Sequence, residues 1–353
     1  MVSLDEFHCS LMNSDLPGLN RAIILFRSLV PIPLDTPGPW IFVPDLHLLG
    51  KDKGRDYADN GEDFFHLGDT EKKSLMNLLD FLMARKSAGD GGYPDLKVIQ
   101  LGDFHDLWRE AQHWWGEDVR RMMERQLDVH QDLFTLFRDL HSERVIGNHE
   151  DALERPGAAE ENSDVWPAEN LHETMLLDLD QAGAFRMLIL HGHQVDPGEK
   201  GIRRTINPIG ARMARHPAIS RRWRDEWKYE VALGACDELA PSPVPQDLIH
   251  YQQSPRNSQQ KTDQKYYREI QDYAVTDEDL LAQHAASAQL AFIGHTHHPR
   301  IVMNDVADYR LVDSGSWVNW AVGQGGAKNQ VHYANAQIGV LARNEVAIIQ
   351  IGS

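Results

Sequence analysis

Short hydrophobic runs recur along the chain, and five of them stop at a polar motif. Trp40 to Val43 and the run at 290–293 are apolar throughout, and those at 96–101, 144–146 and 185–190 are apolar apart from Lys97, Gln100, Arg144 and Arg186. Such runs predict strands, with Trp40 to Val43 a buried one. The segment 75–84 carries apolar positions at helical spacing, and a longer helical pattern fills about 117–141. Further apolar segments follow closely near 301–303, 309–312, 338–342 and 346–351. Early strand–helix alternation and late, crowded strands predict an α/β sandwich of two mixed sheets flanked by helices. No internal repeat is visible.

Residues 1–35 read as an N-terminal extension closing on Pro31-Ile32-Pro33. Its apolar run, Ala22 to Phe26, falls far short of the ~20 residues needed to span a bilayer. It predicts a packed N-terminal helix, with a contact at a membrane interface as the alternative. The remainder, 36–353, reads as one catalytic domain. Within it, 198–286 differs in composition. The basic side chains Lys200, Arg203, Arg204, Arg212 and Arg215 begin a run that continues to Lys228, and a polar stretch containing prolines follows at 241–262. This predicts a helical, lid-like insertion over the face where the polar motifs gather, with Arg203 and Arg204 as candidate substrate contacts.

Composition narrows the partners. The 353 residues carry a formal net charge of −18. That disfavours broad binding to nucleic acid or anionic membranes, which depends on positive fields. An anionic small molecule stays compatible, because divalent cations in a pocket outweigh distant surface carboxylates. The two cysteines, Cys9 and Cys236, are too few for a disulfide framework or a thiolate zinc site. With no secretory signal pattern, this predicts a reducing, cytoplasmic setting. Oligomeric state is left open.

The five motifs carry the chemistry. They are Asp45-Leu46-His47, Gly102-Asp103-Phe104-His105-Asp106, Gly147-Asn148-His149-Glu150, His191-Gly192-His193 and Gly294-His295-Thr296-His297. Each follows a predicted strand, so a common sheet edge would receive carboxylate, amide and imidazole ligands together. Asp45 and His47 are two apart, as are His295 and His297, a spacing that turns both side chains the same way on extended backbone. Oxygen and imidazole donors suit manganese, iron, zinc, cobalt or nickel. Hydrolysis of a phosphate ester is served by two such ions about 3.5–4 Å apart, which activate water and neutralise the phosphoryl oxygens. Gly68-Asp69 also follows an apolar pair, but it precedes a helical pattern and reads as a helix cap.

The order and spacing of these motifs resemble the calcineurin-like metallophosphoesterase superfamily over about 40–320. The resemblance implies a four-layer sandwich and two divalent ions, manganese favoured. Asp45, His47 and His297 would hold one ion. Asn148, His191 and His295 would hold the other, with Asp103 bridging. A metal-bridging hydroxide would attack. His149 would stand near the leaving-group oxygen, oriented by Asp106, and His193 would lie behind the ligands. Leu107 and Ile146 occupy positions where phosphoprotein phosphatases carry arginine, which disfavours a phosphoprotein substrate. The run Asp103 to Trp108, the Asp45-Leu46-His47-Leu48 start and Gly315-Ser316-Trp317 resemble the UDP-diacylglucosamine pyrophosphatase-like branch. The chain departs from that branch in carrying His149 where its lipid enzyme has arginine. The expected activity is hydrolysis of a phosphodiester or pyrophosphate bond in a small molecule. A nuclease or nucleotide phosphodiesterase gripping a strand with the basic insertion is the alternative, and a non-catalytic scaffold is a third reading.

Overall fold

The computed structural model describes residues 2–30, 38–50, 67–107, 119–153, 170–179, 185–194, 288–295, 297, 299–304, 309–323, 330–334 and 336–352. The insertion at 198–286, with Arg203 and Arg204, lies outside the described residues.

A large mixed sheet holds seven strands. In chain order they are β1 (Ile23–Leu29), β2 (Trp40–Val43), β3 (Lys97–Gln100), β4 (Glu143–Val145), β5 (Leu171–His172) and the late pair Gln337–Ala342 and Glu345–Gln350. A smaller mixed sheet holds five: β6 (Thr174–Asp178), β7 (Arg186–Leu190), β8 (Ala288–Ile293), β9 (Arg300–Asn304) and β10 (Tyr309–Asp313). A separate hairpin joins β11 (Asn319–Gly323) to β12 (Gln330–Ala334), so the late pair are β13 and β14. The large sheet runs β1-β14-β13-β2-β3-β4-β5 and the small one β6-β7-β8-β10-β9. The two mixed sheets expected from the sequence are therefore present.

Strand β2 explains the layering. Its four residues are all buried, and successive side chains point to opposite faces. Ile41 and Val43 join the core beneath the helices, while Trp40 and Phe42 join the core between the sheets. Phe42 stacks on Phe292 of β8 with ring centroids 3.6 Å apart. Both faces of the strand are thus apolar, as its continuous hydrophobic run required.

Among the described residues, three helices cover the outer face of the large sheet: α1 (Leu4–Met12), α2 (Asp69–Ser87) and α3 (Val119–Asp139). Helix α2 connects parallel strands β2 and β3, and α3 connects β3 and β4. On α3, Met122, Met123, Gln126, His130, Leu133, Phe134 and Phe137 form the buried face, and the backbone leaves helical geometry at His130. Asp69 lies in the first turn of α2, and Gly68 rather than Asp69 is its cap.

The first thirty residues belong to this same fold. A capping box starts α1: Ser3 N–H donates to Glu6 Oε2 at 2.7 Å, and Glu6 N–H returns to Ser3 Oγ at 3.2 Å. Leu4, Phe7 and Leu11 of α1 are fully buried. Burial of side chains of this size contributes roughly 1.5–3 kcal/mol each. The helix predicted at Ala22 to Phe26 is corrected to strand: β1 runs antiparallel to β14, from Ile23 opposite Gln350 to Leu29 opposite Glu345. A β-branched start and a distant partner strand outweigh the local pattern. Among the described residues, no helix is long and apolar enough to cross a membrane.

Candidate metal centre

Strands β2, β3 and β4 are mutually parallel, and so are β7, β8 and β10. The carboxyl ends of parallel strands open onto one crevice, where loops can converge. Asp45 follows β2, Asp103 follows β3, Asn148 follows β4, His191 follows β7, and His295 and His297 follow β8. With His47 beside Asp45, all seven predicted ligands thus leave one end of the sandwich: Asp45, His47, Asp103 and Asn148 from the large sheet, and His191, His295 and His297 from the small one.

The loops are laced together by their backbones. Leu46 and His47 N–H both donate to Asp103 O, at 3.1 and 2.8 Å, and Leu48 N–H donates to Phe104 O at 2.9 Å. Trp317 N–H donates to Asp45 O at 2.9 Å, which ties in the Gly315-Ser316-Trp317 segment. The Gln100 side chain braces the next turn, donating to Gly102 O and accepting from Gly102 N–H at 3.1 Å. Four candidate ligands sit in left-handed backbone: His47 (φ 48°), Asp103 (47°), His295 (69°) and His297 (58°). Each such residue costs about 1–3 kcal/mol and persists only where surroundings enforce it. Here the enforcing bonds include His295 N–H to both carboxylate oxygens of Asp45, each at 3.1 Å.

Two glycines are required by close approach. A Cβ on Gly147 would enter the Asp103 carboxylate and backbone nitrogen, and one on Gly294 would enter the Asp45 carboxylate.

The donor atoms fall into two overlapping sets. In the first, His297 Nε2 lies 2.9 Å from Asp45 Oδ2 and 3.2 Å from His47 Nε2. His47 Nε2 lies 3.5 Å from Asp103 Oδ2 and 3.9 Å from Asp45 Oδ2. In the second, Asn148 Oδ1 lies 3.0 Å from His191 Nε2 and 3.1 Å from His295 Nδ1. His191 Nε2 lies 3.3 Å from Asp103 Oδ2. One oxygen, Asp103 Oδ2, therefore faces both sets. With metal–ligand bonds of about 2.1 Å, neighbouring donors around one ion stand roughly 3.0–3.4 Å apart. Most of the spacings lie near this range, with His47 standing wider from both Asp103 and Asp45, so these clusters are candidate holders of divalent metal.

Electrostatics agree. Burial opposes ionisation of Asp45 and Asp103, yet the surrounding imidazoles, His191 foremost, hold both carboxyls below their usual range. Burial, then His149, pushes His47 down to about 4, which keeps its ring neutral with a lone pair to offer. Burial would also lower His191, but Asp103 and Asp45 reverse the sign and push it up to about 10. The direction of that shift follows from the two carboxylates facing the ring. His191 Nδ1 donates to Leu101 O at 2.7 Å, which fixes the tautomer that leaves Nε2 facing the donor set.

His149 and Asp106 are brought together as well. His149 Nδ1 lies 3.1 Å from Asp106 Oδ1, and the His149 side chain keeps 20% exposure at the crevice. His149 N–H donates to Asp103 Oδ1 at 2.9 Å. His193 is buried, its ring centroid 5.4 Å from that of His191 and 6.4 Å from that of His295. Asp69 is exposed and is not brought to the crevice.

Three contributions had no assigned role from the motifs. The Leu101 carbonyl carries no side-chain signal at all. Asp106 also lies 3.3 Å from His47 Nδ1 through its other oxygen. Glu150 is fully buried and accepts from His105 N–H at 2.8 Å and Gly147 N–H at 3.1 Å. Its place at the end of the Gly147 motif was the only available clue.

No protein-family model and no curated protein matches the chain. Several solved structures overlap it in part. A predicted phosphoesterase from Streptococcus pneumoniae TIGR4 does so at 11% identity, over 88% of this chain and 88% of that one, with a TM-score of 0.29. A point mutant of Vps29 from Entamoeba histolytica does so at 12% identity, over 88% and 89%, with a TM-score of 0.29. Phosphopantetheinyl hydrolase from Mycobacterium tuberculosis does so at 11% identity, over 80% and 91%, with a TM-score of 0.27. Overlaps this slight assign neither fold nor function, which rest on the chain's own geometry.

Proposed function

We propose that this chain is a metal-dependent phosphoester hydrolase of the calcineurin-like metallophosphoesterase type, using two divalent ions. Its substrate is the phosphodiester or pyrophosphate bond of a small molecule. The observation that carries the reading is the single oxygen Asp103 Oδ2 lying 3.5 Å from His47 Nε2 and 3.3 Å from His191 Nε2, between two sets of imidazole, carboxylate and amide donors. Asp45, His47 and His297 would hold one ion, and Asn148, His191 and His295 the other, with Asp103 common to both. Manganese is the favoured ion, and oxygen-rich sets with imidazole also admit iron, zinc, cobalt and nickel. Bound, such ions supply an activated water and charge neutralisation at the phosphoryl oxygens.

The protein's own groups do the rest. His149 stands at the crevice with Nδ1 3.1 Å from Asp106, so its Nε2 can donate a proton or a hydrogen bond to the departing oxygen. Asp106 fixes the ring's tautomer and direction.

The test is turnover of bis-p-nitrophenyl phosphate beside p-nitrophenyl phosphate, on stripped protein resupplied with manganese, together with metal stoichiometry. Two ions per chain and preference for the diester support the reading. No divalent ion bound under any supply sinks it, and preference for the monoester replaces the diesterase by a phosphatase.

A further inference from the structure

We propose that Glu150, paired with Arg144, is a positioning residue that sets the Asn148-His149 segment against Asp103. The inference rests on the functional reading above and names a residue outside its donor set.

Glu150 and Arg144 have fully buried side chains, with Arg144 Nη1 3.5 Å from Glu150 Oε1. Burying two opposite charges is expensive, and an apolar pair of similar volume is often as stable or more so. Stability alone is therefore a weak reason for this pair. Its geometry supplies a better one. Oε1 of Glu150 accepts from His105 N–H, and Oε2 accepts from Gly147 N–H. These amides belong to different loops, one after β3 and one after β4. His105 stands between Asp103 and Asp106, and Gly147 immediately precedes Asn148. One carboxylate thus clamps the loop of the shared ligand to the loop of Asn148 and His149. The Arg144 guanidinium lies 5.3 Å from the centroid of the Phe104 ring, so the cation also bears on the residue next to Asp103.

The clamp works beside two direct bonds between the same loops, His149 N–H to Asp103 Oδ1 and His149 Nδ1 to Asp106. Those bonds involve the reacting groups themselves. Glu150 holds the frame on which they are set.

Glu150→Gln keeps the shape and turns an amide NH2 toward one of the two N–H donors, so one half of the clamp opens. The full chain is reconstituted with manganese and assayed with bis-p-nitrophenyl phosphate. Metal content, melting temperature and amide hydrogen exchange are measured in parallel. The expected result is kcat lower by about 10–100-fold, the usual range for partners of metal ligands. KM should stay within about twofold, metal content should hold, and exchange should quicken across 103–107 and 145–150. Glu150→Asp, which keeps the charge but loses reach, should fall between the two, and it replaces the first variant if that one does not fold. Wild-type kcat with unchanged exchange overturns the proposal, as does a loss of kcat that merely tracks lost metal or unfolded protein. If wild-type protein neither holds metal nor turns over, the functional reading fails by itself. Amide exchange then decides the clamp: unchanged exchange in Glu150→Gln removes it.

Discussion

The Asp106 carboxylate lies 3.3 Å from Nδ1 of His47 through Oδ2, while its Oδ1 lies 3.1 Å from Nδ1 of His149. One buried side chain thereby faces both rings. The two rings meet edge to face, with centroids 4.5 Å apart.

Asp106→Asn should therefore harm more than proton transfer. The amide can present a carbonyl to only one of the two rings. We expect kcat to drop by about 10–100-fold and affinity at the His47 set to weaken in the same range. Titration with manganese, read by metal content and turnover, checks both. Loss of kcat with unaltered metal affinity would show that only the His149 contact matters.

Asp103→Asn should be the most damaging substitution at the crevice, since Oδ2 faces both donor sets and Oδ1 holds His149 N–H. Turnover should disappear, and metal per chain should fall from two toward one or none. His149→Ala should instead keep both ions and lose turnover by about 10²–10⁴-fold, the range of acid–base catalysis. Elemental analysis beside a diesterase assay separates the two outcomes.

Gly147→Ala tests the close approach at Asp103 without altering any donor. The added methyl meets the Asp103 carboxylate and backbone nitrogen, on a loop whose Asp103 carbonyl is held by Leu46 and His47 N–H. Metal content should fall while the melting temperature of chelated protein changes little. Normal metal loading would mean the loops part easily.

Chelated protein should show a pH signature of His191. Its folded value is pushed up to about 10, so the folded state binds the proton more tightly than the unfolded one. The stabilisation is complete below about 6.5 and is lost as pH rises through about 10. Melting temperatures of wild type minus those of His191→Gln should shrink over that window. A difference that stays flat from pH 7 to 11 contradicts the assignment.

Phe7→Ala tests whether the N-terminal segment is part of the core. Phe7 is fully buried, with rings of Phe81 and Tyr93 at 6.4 and 6.1 Å. Its removal should cost about 3–5 kcal/mol, read by denaturant unfolding. A loss under about 1 kcal/mol would mark α1 as peripheral.

Much of the site was legible because its residues lie where hydrophobic runs end. The runs at 96–101, 144–146 and 290–293 correspond to β3, β4 and the end of β8. Strand ends deliver side chains to an edge whatever the details of packing, so the motifs could be grouped before their contacts were known. The segment 22–26 was misread because its partner, β14, is remote in sequence and no local period reveals it. The break at His130 in α3 was equally hidden, since that ring bonds Leu49 O at 3.0 Å, a tertiary contact. Glu150 escaped a role because the groups it clamps are backbone amides, which leave no trace in a sequence.

The pairing of β1 with β14 also has a timetable. Arg27 on β1 donates to Glu345 at 2.7 Å, and the two residues are 318 positions apart. At ribosomal rates of roughly 5–20 residues per second, β1 is made about 15–60 s before its strand neighbour exists. Through that interval β1 lacks the strand it pairs with in the folded sheet. The large sheet is thus completed last by the strand that lies beside its earliest one.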